Sequence, residues 1–348
     1  MNKLTKVGLS ALCGSLAGIS AANSGTLDIS GSATATWLNN EGTNTGNPIG
    51  INSGITFKGS GELDGGTTFT LTLTQADRSA YSAGSIVMVT PSFGEISIAQ
   101  ANGGNGIDAV DDAMPTAWEE TDGAGLTIGQ DKISGVGASM NVQYKTPTFW
   151  GTTIAVAYSP KNDGVLVNDK ASSGSTSHKQ GGYDVLLKTG GWAGLDLFVG
   201  YSNTSRDGDN RGGTNSDAMS DHEEGVFGGT WVIGPLKLGA QKSGEWLGDE
   251  QTITGVIGYT NVAYGASFNI NDNLVVSYGE NTSKQGVGSQ HATAASRTTE
   301  SKAESLQLSY TMGGASIKIA QTEVENASYS TTTTADREGT TVALSLAF

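Results

Sequence analysis

Tight and long connections alternate along this chain, and no motif in it constrains the fold as much. The tight ones are built from turn-forming residues: ELDGG near 62–66, PSFG at 91–94, PTFW at 147–150, GGWAG at 190–194, GP at 234–235, NDN at 271–273 and GG at 313–314. The long ones are polar and fall at 38–50, 77–84, 102–133, 161–180, 206–222, 246–250, 280–300 and 326–338. Seven turns and eight loops cut the sequence into 16 segments. Many of these alternate apolar and polar residues with period two, the signature of a strand with two unlike faces. Phe69, Leu71 and Leu73 share one face of TTFTLTLTQADR, and Thr68, Thr70, Thr72 and Thr74 share the other. Ile51, Ile55 and Phe57 oppose Asn52, Thr56 and Lys58. In GVGASMNVQYK, read as one continuous strand, Val136, Ala138, Met140, Val142 and Tyr144 oppose Ser139, Asn141, Gln143 and Lys145.

A soluble sandwich has no reason to keep every second connection tight. A barrel in an outer membrane does, because its periplasmic turns are short and its external loops long. Lipid offers no partner to an unpaired N–H or C=O, so a spanning sheet must close on itself. The expected fold is all-β: a transmembrane antiparallel up-and-down β-barrel of about 16 strands, wide enough at that size for a water-filled lumen. Composition agrees. Gly is abundant at 51 of 348 residues, and Thr, Ser and Asn fill much of the rest; all are mediocre or poor helix formers. Trp37, Trp150, Tyr158, Trp192, Tyr201, Trp231 and Tyr278 sit near strand ends, where girdles at the two membrane interfaces would place them.

The first 22 residues follow different rules. Lys3 and Lys6 precede a short apolar run and then small residues, the layout of a cleaved signal peptide ending at Ala21 or Ala22. Residues 23–348 then form the barrel. Cys13, the single cysteine, lies in the leader, so no disulfide framework is expected. Acidic residues number 34 against 19 basic, which argues against a nucleic-acid partner.

The last nine residues, TTVALSLAF, place Val342, Leu344, Leu346 and Phe348 on one face of a closing strand. Together with the leader, the start GTLDISGSATATW and the PSFGEISIAQ turn and strand, this ending resembles the general porins of Gram-negative outer membranes, most closely the alphaproteobacterial type. The resemblance implies a passive diffusion channel for small hydrophilic solutes and ions. It implies a homotrimer with a pore in each monomer, set in outer-membrane lipid and lipopolysaccharide. It also implies that Val342, Leu344, Leu346 and Phe348 are an assembly signal read by the barrel assembly machinery, and that the third external loop folds inward to narrow the channel.

That loop, about 102–133, is the longest. It carries Asp108, Asp111, Asp112, Glu119, Glu120 and Asp122 and no base before Lys132. One reading is an acidic wall of the constriction; the plainer one is a solvated loop. Lys58, Arg78, Lys145, Lys188, Lys237 and Lys318 fall on the polar faces of their segments, so they point into the lumen. A charge turned to lipid near the midplane would cost about 2–4 kcal/mol. Acids on the loop facing bases on the wall would set up a transverse field, and the excess of acid predicts weak cation preference. No cofactor is expected beyond a divalent cation, which DGDN at 207–210 or SDHEEG at 220–225 could hold through oxygen ligands.

Enzymatic function is not expected. His178, His222 and His291 all fall in expected loops, none beside a serine in a recognisable pattern. The remaining alternatives are a substrate-selective porin and a plugged barrel acting as an adhesin or structural protein.

Overall fold

The computed structural model describes residues 25–41, 47–63, 65–77, 82–100, 104–121, 126, 128–137, 139–160, 179–206, 221–248, 256–287, 298–332 and 334–348. Sixteen strands run in order: β1 Thr26–Glu41, β2 Ile49–Glu62, β3 Thr68–Ala76, β4 Ala83–Thr90, β5 Gly94–Gln100, β6 Asn141–Lys145, β7 Thr152–Ser159 and β8 Lys179–Trp192. They continue with β9 Leu195–Arg206, β10 His222–Ile233, β11 Leu236–Trp246, β12 Val256–Asn271, β13 Leu274–Val287, β14 Thr298–Met312, β15 Ala315–Glu325 and β16 Arg337–Ala347. Each pairs antiparallel with its sequence neighbours, and β1 pairs with β16, so the sheet is a closed barrel without a free edge. All seven tight connections lie at one end.

The seam shows why the chain ends on an alternating strand. Register runs from Ser32 opposite Ala347 to Glu41 opposite Glu338. Beyond it, Gly31 N–H donates to the Phe348 carbonyl at 2.9 Å, and Phe348 N–H donates to the Gly31 carbonyl at 3.0 Å. Even the last residue is therefore hydrogen-bonded into the ladder. Leu344, Leu346 and Phe348 are exposed on the outer face, while Thr341 and Ala343 are buried on the inner one.

The same parity holds around the barrel. Ile51, Phe57, Leu71, Leu73, Val156 and Val199 are exposed apolar residues on the outside. The seven aromatic residues assigned to girdles are all exposed as well. Further towards the long loops, the outer face of β13 and β14 carries charge: Lys302 Nζ lies 3.4 Å from Glu280 and also pairs with Glu304.

An inside-out barrel keeps its buried apolar core elsewhere. One cluster joins Ile107, Val110 and Ile133 of the β5–β6 connection to Ala155, Leu186, Phe198 and Val226 on the inner wall. A second joins Leu126 and Ile128 to Ala303, Val324 and Ala327. Fully burying one such aliphatic side chain is worth about 1.5–3 kcal/mol.

Two expectations change. The strand read over GVGASMNVQYK is only β6, Asn141–Lys145. Upstream of it the backbone peels off the wall: Gly135 takes φ +54°, a conformation that favours glycine, and Val136 N–H turns to the Asp184 carboxylate. His222, expected in a loop, is the first residue of β10. The leader and DGDN at 207–210 lie outside the described residues.

Candidate functional site

A loop placed inside a barrel must find partners for its backbone N–H groups. Here inward-facing side chains of successive strands supply them. Gly106 N–H donates to Gln143 Oε1 on β6 at 2.8 Å. Ile107 N–H donates to Asp184 Oδ2 on β8 at 3.0 Å. Ala117 N–H reaches Ser277 Oγ on β13 at 2.7 Å, and Trp118 and Glu119 N–H share Gln307 Oε1 on β14 at 3.0 and 3.1 Å. The chain then turns back. Gln130 Nε2 donates to the Ser301 carbonyl at 2.8 Å, and Asn281 Nδ2 donates to Gln130 Oε1 at 2.9 Å. Ser134 and Gly135 N–H donate to the two oxygens of Glu224 on β10 at 2.9 and 2.8 Å. Val136 N–H closes the return on Asp184 at 3.1 Å. The loop is a flattened out-and-back excursion along the inner wall from β5 to β15. Hydrogen bonds to charged acceptors contribute about 1.5–3 kcal/mol each.

Glycines on the wall let it lie close. A Cβ added to Gly239 of β11 would sit 2.5 Å from Pro115 Cδ, and one at Gly265 of β12 would sit 2.9 Å from the same atom. The Met114–Pro115 corner therefore rests directly on backbone.

The acidic residues of the loop divide into two groups. Asp112 and Glu119 are exposed. Asp111 and Glu120 are half-buried and, with one edge of Asp112, line a small cavity between loop and wall that Lys132, Gln241, Ser243 and Asn261 complete. Glu120 pairs with Lys132 from the loop itself. Burial, then the charges of Asp112 and Asp108, push the Asp111 carboxyl up to about 7, with Glu120 adding and Lys132 opposing. Burial also raises Asp108, although its carboxylate accepts the Gly104 N–H at 2.7 Å. Asp122 lies outside the described residues.

Of the bases singled out from sequence, Lys188 and Lys318 meet the loop. Lys188 Nζ donates to the Ala109 carbonyl at 3.0 Å. Lys318 Nζ lies 5.9 Å from the Trp118 ring centroid. Confinement beside the wall pushes the Glu119 carboxyl up, and Lys318 pulls it down. Lys237 shares a cavity with Lys188, Ala109 and Val110. Lys145 pairs with Glu95 on the neighbouring strand at 2.8 Å. Lys58 is exposed on the inner face of β2, away from the loop's anchoring strands; Arg78 lies outside the described residues.

Sequence reasoning missed the anchors: Gln143, Asp184, Glu224, Ser277 and Gln307. Their signal was available in part. In GGYDVLLK at 181–188, Asp184 sits between outward Tyr183 and Val185, a carboxylate committed to the inside of a spanning strand. Nothing local says that a loop will claim it.

The sequence pattern shared by the family described as Gram-negative porin matches residues 8–348. This chain belongs to that family. No curated protein matches it in sequence. Solved structures agree on the fold. OmpF of Salmonella typhi, in complex with daunomycin, is 14% identical, with a TM-score of 0.64 over 92% of this chain and 97% of that one. An anion-selective porin from Comamonas acidovorans is 13% identical, with a TM-score of 0.63 over 93% and 100%. OmpT of Vibrio cholerae, folded in vitro and in trimer form, is 13% identical, with a TM-score of 0.65 over 93% and 99%. Family and fold are those of an outer-membrane diffusion channel, and this porin is one.

Proposed function

We propose that this porin passes small hydrophilic solutes and ions with a weak preference for cations, and that its third loop forms the constriction. The observation that carries the reading is the division of the lumen. The loop covers the inner wall of β5–β15, while the inner faces of β2 and β3 keep no fully buried residue. Water and solute pass between the loop and that bare wall. Asp112 and Glu119 face the passage from the loop, and Lys58 faces it from β2. Fixed carboxylates there raise the local concentration of cations. Asp111 and Glu120 add charge from behind the loop, and Lys145, Lys188, Lys237 and Lys318 temper it from the wall.

Further parts of the reading rest on the resemblance. The porin is of the alphaproteobacterial type and loses residues 1–22 on export. Val342, Leu344, Leu346 and Phe348 are read by the assembly machinery. The finished barrel is a homotrimer among lipid and lipopolysaccharide, as the trimer form of the Vibrio cholerae relative supports.

The test is single-channel recording in a planar bilayer under a KCl gradient. Ohmic steps in triplets with a cation-favouring reversal potential are expected. Replacing Asp112 by Asn and Glu119 by Gln should move that potential towards anions. Folded protein with no conductance would overturn the channel reading; conductance with an unmoved potential would overturn the assignment of these acids.

A further inference from the structure

Two carboxylates stand directly opposite each other where β10 and β11 approach the external loops. Glu224 and Glu245 are register partners, and both turn to the lumen side behind the returning arm of the third loop. Like charges in that relation destabilise a strand pair, so the position calls for something positive. His222, two residues before Glu224 on the same face, provides one neighbour: its Nε2 lies 3.2 Å from Glu245 Oε2. One ligand atom each from His222, Glu224 and Glu245 lie within 4.8 Å of one another.

A second observation is independent of the clustering. The Glu245 side chain is only 5% exposed, and its Oε1 is buried without a hydrogen bond from any described residue. A carboxyl oxygen buried without a partner is costly. Glu224 is also buried, and the Ser134 and Gly135 N–H groups fix its orientation. Support of this kind holds a ligating carboxylate in place. Asp131 brings a further carboxyl from the loop. Burial and the Glu245 charge push it up, and His222 pulls it down.

One imidazole and two carboxylates are a donor set suited to zinc and its neighbours rather than to calcium. Metal–ligand bonds of about 2.0–2.2 Å place adjacent ligands of a tetrahedral site about 3.3–3.6 Å apart, and His222 Nε2 and Glu245 Oε2 stand 3.2 Å apart. We propose that His222, Glu224 and Glu245 bind a divalent transition-metal ion of the zinc class, which ties β10 to β11 beneath the returning arm of the third loop. The ion offsets the facing carboxylates and, held by both oxygens of Glu245, gives Oε1 its partner. This site is separate from the permeation pathway and stands whatever the ion preference of the pore.

The experiment is calorimetric titration of ZnCl2 into the folded, chelator-stripped full protein in detergent, with heat-modifiable electrophoretic migration as the check on folding. The wild type should bind one ion per chain at this site. His222→Gln and Glu245→Gln should each weaken that binding at least tenfold. Glu245→Gln removes a facing charge without adding volume, so it keeps the test decisive if His222→Gln fails to fold. Cobalt bound in place of zinc should give visible absorption bands that Glu245→Gln loses or shifts. No zinc binding by the wild type, or equal affinity and unchanged cobalt bands in the folded variants, would overturn the proposal.

Discussion

Strands β2–β3 and strands β13–β14 offer similar small polar residues to the inside of one barrel, and those residues end in opposite surroundings. Thr56, Thr70 and Thr72 remain partly exposed, whereas Ser283 and Ser301 are fully buried. Nothing in the strands accounts for the difference. The third loop lies across one wall and leaves the other bare. A small polar residue on the inner face is thus either a wetted surface or a hydrogen-bonding post, according to what comes to rest on it.

The largest effect should come from cutting the loop loose. Asp184 accepts from Ile107 and Val136 N–H at both ends of the excursion. Each buried N–H left without an acceptor costs about 1–3 kcal/mol. Asp184→Ala should lower the midpoint of heat-modified migration and give larger, noisier single-channel steps. Thr72→Ala on the bare wall should change neither. Matching recordings from the two variants would show that the walls are not different in kind.

Adding a methyl group sharpens the same contrast. In Gly239→Ala the new Cβ meets Pro115 at 2.5 Å, an overpacking worth about 1–3 kcal/mol. In Gly54→Ala it meets only the Gln75 carbonyl, at 3.7 Å. Thermal unfolding should separate the two variants clearly, and equal midpoints would mean that Pro115 yields freely.

Charge substitutions test the passage between the walls. Asp112→Asn with Glu119→Gln should move the reversal potential towards anions, while Lys58→Gln should move it towards cations by a smaller amount. Shifts of the same sign would break the idea that these groups face each other with opposite charge.

The smallest effect is expected from pH. Asp111, raised to about 7, is largely neutral below that pH and ionised above it. Cation preference should therefore rise between about pH 6 and about pH 8, and Asp111→Asn should flatten the rise. The sign for stability is opposite. A carboxyl raised on folding stabilises the folded state while protonated, and that contribution declines as pH climbs from about 4 through about 7.

Much of the architecture was legible along the chain. Period-two alternation identifies the outer face because a strand turns successive side chains to opposite sides, whatever lies far away. The tight connections at 91–94, 147–150 and 313–314 carry their own turn chemistry, and closure follows from the need to pair every backbone group in lipid. The length of the third loop was equally plain. Its route was not, and GVGASMNVQYK shows why. Alternation continues through Val136 as though β6 began there, but the Asp184 carboxylate, 48 residues away in sequence, captures that N–H and withdraws the segment from the sheet. His222, Glu224 and Glu245 pose the same problem: their grouping depends on the β10–β11 register and on a loop arm arriving from elsewhere.

The amino-acid sequence alone determined a closed barrel with an apolar outside, because strand parity and backbone saturation are local requirements that each segment meets for itself. Only the tertiary structure decided which inner wall is covered, which loop carboxylates stay exposed and which wall carboxylates anchor the loop. Those outcomes depend on burial and on acceptors brought together from as far as 198 residues apart, and neither is a property of any one strand.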